Sequence, residues 1–78
     1  MEELLKETIL KAFEIAEEIN AQEILETYEL RDYNLYIADS DEEADLRDLD
    51  FMLDIIKDKI KWKVLIILKS IMKNKIEL

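Results

Sequence analysis

Seventy-eight residues, half of them apolar and 40% charged, carry a formal net charge of -9 with no histidine, cysteine, glycine or proline. This composition is too hydrophobic for disorder, and its longest aliphatic run, Val64 to Leu68, falls far short of the roughly 20 residues that a membrane-spanning helix needs. Disulfides, a structural zinc site of the usual kind, a phosphate-binding glycine loop and a histidine- or cysteine-based catalytic triad are excluded by the missing residue types.

The first segment, Glu2 to Ile19, sets Leu5, Ile9, Ala12, Phe13, Ala16 and Ile19 on one face of an amphipathic helix. The next apolar group, Ala21, Ile24, Leu25 and Tyr28, is rotated by roughly 140° from that face, too much for the drift of a straight helix. One element must therefore end near Asn20. Asn20 suits an N-cap and Glu23 follows three residues later, so a second helix is expected over 21–33. Between residues 33 and 39 the Tyr, Leu and Ile content suits a helix end, a loop or a short strand. A loop is expected, with Asn34 taking the left-handed conformation. The lack of glycine argues against tight hairpin turns, which need positive φ.

The longest periodic pattern follows. Leu46, Leu49, Leu53, Ile56, Ile60, Val64, Ile67 and Ile71 recur every three or four residues, and at about 100° per residue they form one stripe over seven turns. Val64 to Leu68 has the aliphatic look of a buried strand, but Val64 and Ile67 keep the phase of the preceding residues. One helix is therefore expected over 41–76, opened by a capping box of Ser40 and Glu43. The fold class predicted is all-α: a helical hairpin or three-helix domain spanning 1–78, with helices at about 2–19, 21–33 and 41–76. So short a chain buries only about 60% of its unfolded surface, so dimerisation is expected to complete the domain.

Charge is segregated along the chain. Residues 1–40 hold eleven acids and three bases, 41–58 hold eight and two, and 59–75 hold six lysines and no acid. If the third helix folds back on the first, its lysine-rich end lies beside Glu2 to Glu18, and opposite charges orient the contact.

Three surfaces are candidates for function. Trp62, Ile55 and Ile66 form a second apolar strip about 140° from the main stripe, wider than two short helices can cover, which points to a homodimer interface. Lysines around Trp62 also resemble a membrane-surface or groove-binding segment. The carboxylates of Glu14, Glu17 and Glu18, with Tyr33 and Tyr36 nearby in the chain, would suit a basic protein partner by imitating nucleic-acid phosphates. Direct contact with nucleic acid is disfavoured by the net charge. Asp39, Asp41, Glu43, Asp45, Leu46 and Asp50 fall at positions 1, 3, 5, 7, 8 and 12 of an EF-hand-like calcium loop, but Ala44 replaces its glycine and Asp50 its bidentate glutamate. The acidic first turn of a helix is the expected reading, and no metal or cofactor is assigned.

The expected function is that of a small acidic helical interaction or regulatory protein without catalytic activity, the alternative being an acidic decoy for a basic DNA- or RNA-binding protein. Glu2 and Glu3 stand where a secretory leader carries basic residues, so a cytoplasmic location is expected.

Overall fold

A computed structural model describes the backbone of residues 3–77 and the side chains of residues 3–73. In chain order the elements are α1 (Glu3–Glu18), α2 (Gln22–Thr27), β1 (Tyr28–Arg31), β2 (Asn34–Ile37) and α3 (Leu46–Glu77). The chain is mostly helical and ends in the long helix that its periodicity predicts, without a break at Val64 to Leu68. The all-α expectation is corrected by the antiparallel hairpin β1–β2, and the second helix stops at Thr27 instead of continuing to residue 33. The expected helix start at Glu2, and the side chains of Lys75 and Ile76, lie outside the described residues.

α1 forms as the stripe dictates, burying Ile9, Ala12, Phe13 and Ala16 with Leu5 and Ile19 packed alongside. Asn20 closes this helix instead of opening the next. It adopts φ 55° and its N–H donates to the Glu17 carbonyl at 3.2 Å, while the Ala21 N–H donates to the Ala16 carbonyl at 2.9 Å. Those two bonds are the Schellman pairing, and asparagine serves here for the usual glycine because its short polar side chain tolerates the left-handed region. α2 consequently has Ala21 as its N-cap, with no side-chain cap.

The hairpin pairs Tyr28 with Ile37, Glu29 with Tyr36, Leu30 with Leu35 and Arg31 with Asn34. Its two-residue loop, Asp32–Tyr33, has positive φ at both positions, 48° and 66°, which is the type I′ pattern whose twist matches antiparallel strands. The chain thus makes the turn without glycine. Asn34, expected in the left-handed region, is instead the first residue of β2. The alternation sends Tyr28 and Leu35 into the core and Glu29, Arg31 and Tyr36 to the other face. On that face the Arg31 guanidinium lies 4.1 Å over the Tyr36 ring, pairs with Glu29 at 3.0 Å and Asp41 at 3.4 Å, and donates to the Ser40 carbonyl. Arg31 therefore ties the hairpin to the segment that follows it.

Tyr33 sits at the tip of the turn, 89% exposed, where its side chain gains little from packing and its backbone carries the left-handed cost of roughly 1 kcal/mol. Tyr33→Gly converts the loop to Asp-Gly, a pair favoured in this turn, and is expected to raise stability by about 0.5–1 kcal/mol, read as a higher urea midpoint at unchanged slope.

The acidic stretch 39–45 is not the first turn of α3. It runs back along β2, with the Ile37 N–H donating to the Glu42 carbonyl and the Ala44 N–H to the Leu35 carbonyl, both at 2.9 Å, and Tyr36 bridging to Glu43. Ser40 does not cap the helix; its hydroxyl accepts from the Glu42 N–H at 3.0 Å in a local turn. The cap lies five residues later. Asp45 accepts from the N–H groups of Arg47 (3.0 Å) and Asp48 (3.3 Å), and Asp48 accepts in return from the Asp45 N–H (2.8 Å), a reciprocal capping box of two aspartates. The N–H bond from Asp48 holds the Asp45 carboxyl below its ordinary pKa. Starting at residue 46 instead of 41, α3 still runs for 32 residues, about 48 Å at 1.5 Å per residue.

The core is one cluster in which Ile24 and Met52 are wholly enclosed, joined by Ala16, Ala21, Tyr28, Leu35, Leu49 and Ile56 among others. α3 enters it only through its first half: Ile56 is its last buried residue, and every side chain from Ile60 to Lys73 is exposed. The apolar stripe of α3 therefore continues beyond the part that the core covers. α1, at 16 residues, and α2, at six, are too short to follow a 32-residue helix. The molecule is accordingly elongated, 56 × 24 × 19 Å.

Candidate functional site

The exposed half of α3 is a free-standing arm of about four turns. Its nine large apolar side chains, from Ile60 to Met72, are each 39–64% exposed, with Trp62 at 62% and Ile66 at 64%. They surround the helix: Ile60, Val64, Ile67 and Ile71 continue the main stripe, Leu65, Leu68 and Met72 form a second, and Trp62 and Ile66 a third. A helix that is apolar on all sides normally has neighbours on several sides. Between the apolar strips stand Lys61, Lys63, Lys69 and Lys73, all exposed and, among the described residues, without an ion pair.

The expected placement of the lysine-rich end along α1 is also corrected. Ile19, just past the end of α1, lies beside Ile60, Lys63 and Ile66, so the arm projects beyond that end of α1. Among the described residues one ion pair joins α3 to another helix, Lys59 to Glu23 at 3.8 Å.

Two grooves meet at the root of the arm, with Trp62 and Lys59 lining both. One, about 490 Å³, has Phe51, Ile55 and Trp62 as its apolar floor and Glu23, Asp54 and Asp58 around it. The other, about 360 Å³, is formed by Ile19, Ile60, Trp62 and Ile66 with Lys59 and Lys63. The first is an acid-rimmed apolar slot; the second is a base-rimmed one.

Of the residues singled out from the sequence, Trp62 and Ile66 are on the arm, whereas Ile55 is half-buried and packs against the core of its own chain. Glu14, Glu17 and Glu18 are exposed on α1, with Lys11 3.6 Å from Glu14. Glu14 and Glu17 meet Tyr33 at a groove of about 230 Å³ floored by Leu10, Phe13 and Leu30, where the hairpin tip reaches α1. Tyr36 is apart from these, stacked under Arg31. The sequence reading passed over Phe51, Asp54 and Asp58. Their signal was present, since Phe51, Ile55, Asp58 and Trp62 follow one another at spacings of four, three and four.

No metal-binding constellation of three or more histidine, cysteine, aspartate or glutamate side chains exists among the described residues, and the acids of the 39–50 stretch are spread over the return segment and the start of α3. No helix among them is long and apolar enough to cross a membrane. Compared with protein-family models, curated proteins and solved structures, the chain matches none.

Proposed function

We propose that this is a small non-catalytic interaction protein whose docking element is the C-terminal half of α3. The observation that carries the reading is the continuous exposure of apolar side chains from Ile60 to Met72 on a half-helix that the core of the described residues does not reach. Those side chains present on the order of 1,000 Å², against about 800 Å² per partner in a standard specific interface. Burying even half of that area at about 25 cal/mol per Å² outweighs the ordering of side chains on a helix that is already formed. The absence of histidine, cysteine and glycine supports a binding role over catalysis. A second copy of the chain brings the same unsatisfied helix and is the simplest occupant; a basic protein, drawn to the exposed carboxylates of α1, is a second partner class.

The test is a photo-reactive benzoylphenylalanine placed at Ile67 of the full chain, with the same group at Glu42 as a control on the body. Irradiation is expected to give protein adducts from position 67 and none from 42. Equal labelling at both positions, or none at 67, would remove the docking role of the arm.

A further inference from the structure

From the order of charges along one face of α3 we infer that the arm docks onto a second copy of this chain, with the two α3 helices antiparallel and crossing at a two-fold axis between Lys63 and Val64. This rests on the docking role proposed above and specifies its partner, direction and register.

At about 100° per residue, the face that contains Trp62 continues from the acid-rimmed groove to the tip of the arm within a band about 100° wide. Along it, groups of opposite or matching character lie at equal distances on either side of one point between Lys63 and Val64. Asp54 mirrors Lys73, Asp58 mirrors Lys69, Ile55 mirrors Met72, and Trp62 mirrors Leu65. A helix with this arrangement is complementary to its own reversed copy. In the antiparallel pair Lys69 and Lys73 of each arm meet Asp58 and Asp54 of the other body, Met72 enters the groove over Ile55, and Trp62 packs on Leu65 beside the axis. By symmetry every contact occurs twice, giving four charge pairs, with an Asp58–Lys69 pair in the middle of the band on either side of the central Trp62–Leu65 contacts.

The structure leaves this face open. Asp54, Asp58, Lys69 and Lys73 are exposed, as are Trp62, Leu65 and Met72, and the 490 Å³ groove over Ile55 gives the arm of a second copy a seat. Charge also selects the direction. A parallel pair in register would place aspartate against aspartate and lysine against lysine on this face, and would set two arms bearing only positive charge side by side. The antiparallel pair instead places each basic arm against an acidic body.

Charge reversal in the full-length chain tests the register. Asp54→Lys with Asp58→Lys turns all four pairs into lysine against lysine and is expected to weaken self-association at least tenfold by sedimentation equilibrium. Adding Lys69→Asp and Lys73→Asp to the same chain reverses every pair and is expected to restore the wild-type constant to within about threefold. All four sites are exposed, and circular dichroism of each variant verifies the fold. As a second reading, Asp58→Cys chains mixed with Lys69→Cys chains are expected to join through a short bis-maleimide, since the protein has no other cysteine, whereas neither chain joins to itself. A wild-type chain that sediments at 9.3 kDa at 100 μM overturns the self-association, while protein adducts at Ile67 with other partners would leave the docking role standing. A dimer indifferent to the reversals, or one that the fourfold variant fails to restore, overturns this register.

Discussion

Ile24→Ala is expected to lower the unfolding free energy by about 2–4 kcal/mol, whereas Ile67→Ala, on the arm, is expected to change monomer stability by less than about 0.5 kcal/mol. Ile24 is wholly enclosed and sits on the shortest helix, where it meets the core of Ala16, Tyr28 and Met52. Truncation leaves a cavity that α2, with only six residues, is poorly placed to collapse without moving β1, which follows it directly. In a chain of this size each kcal/mol is about 4–8 °C, so the loss amounts to tens of degrees in the melting temperature. Ile67 shares the periodicity and hydrophobicity of the core positions but is 56% exposed. Urea titrations of the two variants at a concentration where the chain is monomeric measure the contrast. Similar losses would show that the arm folds against the body in solution.

Tyr28→Phe is the second substitution with a large expected effect, about 1–2 kcal/mol. The phenol donates to Asp48 Oδ1 at 2.7 Å, and the other oxygen of that carboxylate accepts the Asp45 N–H at the helix cap. One aspartate thereby connects the hairpin, the return segment and the start of α3. The ring is 3% exposed and lies tilted by 57° against Phe51 with centroids 6.2 Å apart, so the substitution removes the hydrogen bond and preserves most of the packing.

The same hydroxyl imposes a pH dependence. Burial first, and then the hydrogen bond to Asp48, hold its pKa well above the ordinary phenol value of 10.0. Below pH 10 the folded and unfolded chains both retain the proton, and the stabilisation is fully present. As pH rises further the unfolded chain ionises while the folded one does not, and stability is lost at up to about 1.4 kcal/mol per pH unit from this group. The gap between wild type and Tyr28→Phe is therefore expected to be constant from pH 7 to 9 and to shrink between pH 10 and 11.5. A constant gap across the whole range would show that the phenol titrates alike in both states.

Local spacing determined more of the core than of the elements that build it. Ala21, Ile24 and Tyr28 are buried as their common phase predicts, although the chain leaves the helix at Thr27 and Tyr28 reaches the core from a strand. A position three or four residues along a helix and one at the start of a following strand can face the same neighbour, so the pattern names what is buried without naming the backbone that buries it. Caps were misplaced for a related reason. Asn20, Ser40 and Asp45 each have a side chain able to close a turn, and tertiary contacts, not local preference, select among them. The Arg31 anchor and the pairing of residues 42–44 with β2 hold the 39–45 stretch out of the helix, which moves the start of α3 to Leu46 and its cap to Asp45. The Asp32–Tyr33 turn was hidden in the same way, since the positive φ of two successive non-glycine residues is compensated here by strand pairing over the core, which local preference does not show.

Periodicity within single segments is enough to read that the chain is mostly helical, that α1 buries Ile9, Ala12, Phe13 and Ala16, and that one helix runs unbroken past Trp62. Where that helix loses its cover is a matter of how the elements are placed in space. α1 ends where the groove at Ile19 meets Ile60, and α2 turns back from there toward the start of α3; how far one element reaches along another depends on their relative placement, which side-chain period does not encode.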